Sequence, residues 1–408
     1  MNAPRSGTVG SNPVKRSGGF VAENQPAARQ LQDFLHAGLE AIPRFERCAL
    51  LDYPLHPNVG DHLIWIASLL YIERINGTKV SYTAPMNDFS LEAMKGAIGD
   101  GPIIFPGGGN LGDLWPSHQR LREWVIASCH DRPIYILPQT VHFISEMALN
   151  RAARIFNAHP DITVFVRDRK SYDLCQRWFH QCKILLAPDM VFHLSDLQLP
   201  LYSEFNRDSK LFLCRTDSEL NQEFGSIDGV VEGLITQEWF AFGEVGFRKA
   251  WNWPTWLWQI PGASTVLGGF WRRRPESTEE RRSRQEWLSI HPQSSTLDLE
   301  DERTLRSWGY VHDAICQLNR FPLVISNRLH GHIMSILLGI PNVLLPDSYG
   351  KNEQFFDTWT QDVPFTQYIE RAEQIVEALC LVTDAPKTSS TKNLMSNLGI
   401  KGGNDASR

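Results

Sequence analysis

Between an apolar run, PLVI, and a helical pattern, HIMSILLGI, the chain places Ser326-Asn327-Arg328-Leu329-His330-Gly331-His332. A turn that closes a strand and opens a helix carries orphan N–H groups and the positive end of the helix dipole, so it favours an anion. Arginine grips phosphate or carboxylate through two parallel N–H bonds, and histidine exchanges protons near neutral pH. Arg328 and His330 at i and i+2, with Gly331 separating the two histidines, favour chemistry over mere packing. Arg215, just after LFLC, could supply a second cation. Lys351, in DSYGKN after PNVLL, suits a phosphate as a point charge or is an exposed turn lysine.

The first half carries its own motifs at strand ends. Asn58-Val59-Gly60-Asp61-His62 follows CALLDYP, where Asp61 either points a carboxylate into a cleft mouth or caps a helix starting near Leu63. Gly107-Gly108-Gly109-Asn110-Leu111-Gly112-Asp113 follows PIIFP as a strand running into a glycine turn. Such a turn forms an amide-lined concavity for an anion or permits tight strand-to-helix packing. It has neither G-x-G-x-x-G spacing nor a following GK[ST], so a nucleotide site is weakly supported. Gln139, in PIYILPQT, could bond a sugar or a carboxylate.

The elements that must position these residues alternate. Strand-like runs at 48–54, 102–110, 133–140, 162–168 and 183–189 are separated by helical or loop segments, including a helix near 117–130. After a polar break at about 195–209 the rhythm restarts at 210–217, 322–331 and 341–347. That βαβα order predicts parallel sheets covered on both faces, with ligands outside the carboxyl ends of the strands. The expected class is α/β, with two doubly wound, Rossmann-like domains at 45–200 and 208–375 facing a cleft. Residues 218–307 read as a Trp-rich insertion in the second domain, holding seven of the 13 tryptophans and a solvated charged tract, WRRRPESTEERRSRQEW. Residues 1–25 and 385–408 read as disordered tails, too poor in apolar side chains to offset their ordering entropy.

Composition narrows the class. At 408 residues, 42% hydrophobic and 21% charged, the chain reads as globular. Forty basic against 46 acidic residues give a net charge of −6, which argues against a nucleic-acid partner. Seven cysteines at irregular spacing, without CxxC, read as reduced thiols of a cytoplasmic protein. The N-terminal residues hold no apolar run of signal-peptide length, and nowhere is there an uncharged run of 18 apolar residues, so no membrane span is expected. No acidic-plus-histidine metal cluster stands out, so no metal is expected.

Taken in order, NVGDH, FPGGGNLGDLW, LPQTVHF, VRDRKSYD, APDMVFHL and SNRLHGHIMSILLGIPNVLLPDSYGKN resemble the polysaccharide pyruvyl transferase family, particularly its bacterial exopolysaccharide-biosynthesis members. The resemblance covers roughly residues 45–375 outside the insertion. It implies a fold like the two-domain GT-B glycosyltransferases, with phosphoenolpyruvate as donor substrate and no cofactor. The acceptor would be a sugar of a glycan or of its lipid-linked precursor, and the product a pyruvate ketal with release of phosphate. His330 and Asp61 are then the expected catalytic pair. Arg328, Arg215, His332, Lys351 and Asn327 would bind the donor. Asn58, Gly108, Gly109, Asn110, Asp113, Trp115 and Gln139 would form the acceptor side of the cleft. WNWPTWLW (251–258) reads as core packing, as contact with a membrane or lipid-linked substrate, or as a sugar-stacking face. Peripheral contact with the inner face of the plasma membrane is thereby left open. The competing readings are a nucleotide-sugar glycosyltransferase of the same architecture and a non-catalytic member of a polysaccharide assembly complex.

Overall fold

A computed structural model describes residues 19–196, 209–224, 227, 229–239 and 301–384. Its first sheet comprises β1 (Arg47–Leu51), β2 (Lys79–Ala84), β3 (Ile103–Phe105), β4 (Gly108–Gly112), β5 (Ile134–His142), β6 (Ile162–Val166) and β7 (Lys183–Leu186). These strands are parallel in the order β2-β1-β3-β5-β6-β7, and β4 also pairs with β5, beyond β3. The second sheet holds β8 (Lys210–Leu213), β9 (Leu234–Gln237), β10 (Val324–Ser326), β11 (Asn342–Leu344) and β12 (Thr366–Tyr368), parallel in the order β12-β11-β10-β8-β9. Strand order reverses beside β1 in the first sheet and between β8 and β10 in the second. Such switch points open crevices at the carboxyl ends of the strands.

Period-two alternation divides the side chains into layers. Cys48 and Leu50 of β1, with Leu211 and Leu213 of β8, face one apolar cluster that both sheets share. Ala49 and Leu51 face a second cluster, on the far side of the first sheet. Phe212 and Cys214 face a third, on the far side of the second. Between the sheets lie α1 (Gly19–Leu39), α2 (Val59–Leu70), α7 (Glu302–Leu318) and α8 (Leu329–Leu337). The other helices are α3 (Leu91–Ile98), α4 (Pro116–Ser128), α5 (Glu146–Ala158), α6 (Arg169–Trp178), α9 (Lys351–Phe355) and α10 (Ile375–Asp384). Among the described residues no helix is long and apolar enough to cross a membrane.

Three expectations change. Gly108–Gly112 is a strand rather than a turn: a Cβ on Gly112 would sit 1.7 Å from the His142 carbonyl oxygen, so only glycine permits this approach to β5. The expected insertion loses both ends, because β9 pairs with β8 and α7 begins at Glu302. Of its tryptophans Trp239 is buried, and the other six lie outside the described residues. The expected N-terminal tail is also shorter, since α1 starts at Gly19. Ala27, Ala28, Leu31, Leu35 and Leu39 form one buried face of α1. That face packs on the turn 190–196 and on α8. The expected tail 385–408 lies outside the described residues.

Buried histidines set the acid limit of this core. Burial holds His332 down to about 4, and burial with His36 and Arg74 nearby holds His193 down to about 3. Unfolded histidine titrates near 6.5, so as pH falls from there toward 4 the unfolded chain binds protons that the folded chain refuses. Stability is therefore complete above pH 6.5 and drops below it, by on the order of 1 kcal/mol per pH unit for each such histidine. Thermal unfolding followed from pH 7.5 to 5 should show a midpoint that falls once pH drops below about 6.5, less steeply in His332→Gln.

Candidate active site

β10 delivers its terminal residues to the crevice beside β8. Ser326 Oγ accepts from the Arg328 amide at 2.9 Å, bending the chain before α8. Asn327, buried, accepts from the Arg215 amide at 2.8 Å and so ties the two strand ends together. Arg215 and Arg328 consequently emerge side by side, but neither is open to an anion. Arg328 forks onto Glu238, with Nε at 2.5 Å and Nη2 at 2.8 Å, and reaches Asp217 at 3.5 Å. Arg215 holds Asp217 at 2.7 Å and Glu219 at 2.8 Å. Lys351 is buried and bonded to Glu219, not exposed on a turn. Three cations thus meet three carboxylates. Burial alone would lower the Arg215 guanidinium, but Asp217 and Glu219 carry it above its usual range. Burial would likewise raise the Glu219 carboxyl, while Lys351 and Arg215 bring it below.

His330 faces the first sheet. On a helix its ring and that of His332 lie about 200° apart, so only one can face the crevice. His332 is the inward one. Its Nδ1 is 2.5 Å from Asn342 Oδ1 and its Nε2 is 2.9 Å from Thr360 Oγ1, in the core. The expected donor-binding role of His332 is therefore corrected to a structural one. His330 lies over Gly60, where an added Cβ would come within 2.2 Å of Nδ1. Its Nε2 is buried, has no hydrogen-bond partner among the described residues, and stands 3.7 Å from Asp189 Oδ2.

Asp189 follows β7 and is fully buried against Arg167, which follows β6. Burial would raise this carboxyl, but Arg167 and then His330 outweigh it and hold it well below the usual range. Arg167 is fixed by Thr140 Oγ1 at 3.0 Å, and its carbonyl accepts from Trp359 Nε1 at 2.9 Å. Arg167 Nη2 and Tyr349 Oη both approach Gly109, at 3.2 and 3.6 Å from where a Cβ would be. Tyr349 Oη is buried and unpartnered among the described residues. Glycine at 109 thus keeps this space clear.

At the start of α2, Asn58 is the cap: its Oδ1 accepts from the Gly60 amide at 3.2 Å. Its Nδ2 donates to Asp61 at 2.8 Å, leaving the Asp61 side chain 28% exposed. A Cβ on Gly108 would come within 3.8 Å of Asp61 Oδ1. The structure therefore gathers Asp61, Gly60, Gly108, Gly109 and His330. Three expected acceptor residues are occupied elsewhere. Gln139 is buried, bonding Pro106 O at 2.9 Å and Asn110 Oδ1 at 3.1 Å. Asn110 is gripped by Arg122 through its side chain and carbonyl. Asp113 accepts from the Ile144 and Ser145 amides at 2.8 and 2.7 Å, at the start of α5. Past the three consecutive glycines, the Asn110 and Gly112 amides are taken up by Gln139 and Gln119. Arg167, Asp189, Tyr349 and Glu238 were not expected. Arg167 and Asp189 stand directly after apolar runs, and that position is the signal that could have found them.

Comparison with known proteins places the chain in a family. The polysaccharide pyruvyl transferase family matches residues 58–349, from the α2 cap to Tyr349. The chain belongs to that family, a family of transferases. Its relatives include EpsO of Bacillus subtilis (strain 168), provisionally named a pyruvyl transferase. The two are 29% identical over 84% of this chain and 95% of that one. Pyruvyl transferase 1 of Schizosaccharomyces pombe is 27% identical over 83% of this chain and 76% of its own. General stress protein 30 of Bacillus subtilis is 23% identical over 81% and 84%.

Proposed function

We propose that the chain transfers the pyruvyl group of phosphoenolpyruvate to a sugar of a bacterial exopolysaccharide or its lipid-linked precursor, forming a ketal and releasing phosphate. The carrying observation is His330, whose buried, unpartnered Nε2 stands beside an ionised Asp189 at the meeting of the two sheets. A proton from His330 goes to the methylene carbon, and a sugar hydroxyl adds to the neighbouring carbon. Phosphate then departs and a second hydroxyl closes the ring. Asp61 orients or deprotonates a hydroxyl. The sheets act as the two halves of a GT-B-like cleft, with 45–200 on the acceptor side and 208–375 on the donor side. A donor made inside the cell places the reaction in the cytoplasm, at the inner membrane face when the acceptor is lipid-linked.

A donor with about three negative charges must find cations, and those present are paired. Its carboxylate or phosphate takes the place of Glu238 on the Arg328 fork. In Glu238→Gln that competition weakens, so KM for phosphoenolpyruvate should fall several-fold with kcat little changed. A raised KM would mean that Glu238 holds Arg328 in place for the donor instead.

The reading as a whole is tested by incubation with phosphoenolpyruvate and lipid-linked glycan intermediates. Phosphate release and a product carrying a pyruvate ketal are expected. Thermal stabilisation by nucleoside-diphosphate sugars, with none by phosphoenolpyruvate, would overturn it.

A further inference from the structure

Asp52, the first residue past β1, has φ 63°, the one non-glycine residue with positive φ among those described. That conformation costs a non-glycine residue about 1–3 kcal/mol and persists where neighbours impose it. Here the neighbours are visible. The Asp52 carboxylate is buried, and His118 Nδ1 on the first turn of α4 lies 2.9 and 2.8 Å from its two oxygens. Arg122, one turn further along α4, stands 3.8 Å away. Burial would raise this carboxyl, but His118, Arg122 and His56 bring it below its usual value. The ionised carboxylate accepts the Nδ1 proton, so the neutral ring carries its lone pair at Nε2.

That nitrogen has no hydrogen-bond partner among the described residues, and the His118 side chain is 19% exposed. Beside it the His56 ring stands edge-on at 6.3 Å. His56 Nε2 in turn is 3.6 Å from Asp61 Oδ2. Asp61 adjoins Gly60, over which His330 lies. The contacts His118–His56 and His56–Asp61 thus lead from the buried carboxylate toward Gly60 and the ring of His330.

We infer that His118, held by Asp52, is a second acid–base residue, taking the proton from an acceptor hydroxyl as it attacks. This rests on the pyruvyl-transfer reading. Ketal formation frees a proton from each of two hydroxyls: one makes good the proton that His330 gives to carbon, and the other leaves with the phosphate. His118 takes up the first as that hydroxyl attacks, while Asp61 orients the second. The O–H bond breaks, its proton passes to Nε2, and the oxygen's electron pair forms the bond to the donor carbon. Asp52 acts through His118 and is a positioning residue.

The test compares wild type, His118→Gln, His118→Asn and Asp52→Asn, each first shown to unfold cooperatively. Donor binding is read as thermal stabilisation by phosphoenolpyruvate, and turnover as phosphate release with glycan acceptor across pH 5.5–9. Both His118 variants should keep the donor-induced shift, lose about 10²–10³ in kcat and lose the acid limb of the rate profile. Asp52→Asn, which accommodates the other tautomer, should lose at least tenfold and displace that limb. His118 variants retaining kcat within two-fold and the wild-type profile overturn the inference while leaving pyruvyl transfer intact. A wild type that neither binds nor turns over phosphoenolpyruvate overturns both.

Discussion

Replacing His330 with Gln should cut kcat by about 10²–10⁴, the contribution of a well-placed acid, while donor binding changes far less. The reason lies in what His330 does not do. Its Nε2 makes no hydrogen bond among the described residues, and Asp189 keeps its Arg167 partner, so the fold should keep its thermal midpoint within a few degrees. Gly60→Ala reaches the same atom from the other side. The new methyl would stand 2.2 Å from His330 Nδ1, and the ring, the far end of a side chain, must swing aside. A displacement near 1 Å at a reacting group costs about 10²-fold. Both variants are measured by phosphate release and by donor-induced thermal shift. An unchanged kcat in His330→Gln would remove this residue from the chemistry.

Arg167→Met should lower unfolding stability by about 3–5 kcal/mol, because it strands Asp189 as an uncompensated buried charge. The Arg167 and Asp189 side chains are 2% and 0% exposed, so water offers no relief. Adding Asp189→Asn to Arg167→Met removes the charge, and the double variant should regain most of that loss. Denaturant titration of the two single variants and the double one closes the cycle. Additive losses would mean that the pair carries no coupling and that Asp189 is not held ionised by Arg167. Activity separates the pair's two uses: the double variant should fold well and still turn over slowly, since His330 then faces a neutral amide.

Strands such as β6 (ITVFV) and β10 (VIS with its apolar lead) were legible because parallel strands buried on both faces read as unbroken apolar runs. Edge strand β9 (LITQ) is only partly buried, and that pattern does not stand out inside a Trp-rich stretch. Glycine seldom favours a strand, so Gly108–Gly112 read as a turn. What makes it a strand is the closeness of the His142 carbonyl, a contact between residues distant in the chain. The site divides the same way. Arg328 and His330 were legible from their place at a strand end. Glu238, which closes on Arg328 from 90 positions away, leaves no local trace. His332 looked equivalent to His330 until helix geometry set the two rings on opposite sides.

Helix α1 opens the described chain, yet its partners come late. Gln32 donates to the His193 carbonyl at 2.9 Å, and the Phe34 ring meets Trp359 at 6.3 Å. During synthesis Phe34 leaves the ribosome on the order of tens of seconds before Trp359. Through that interval the Leu31, Leu35 and Leu39 face has only part of its docking surface. The nascent chain must carry an amphipathic helix in waiting, a binding face for a chaperone or for another unfinished copy. Docking of α1 on α8 and Trp359 thus waits until both have been made.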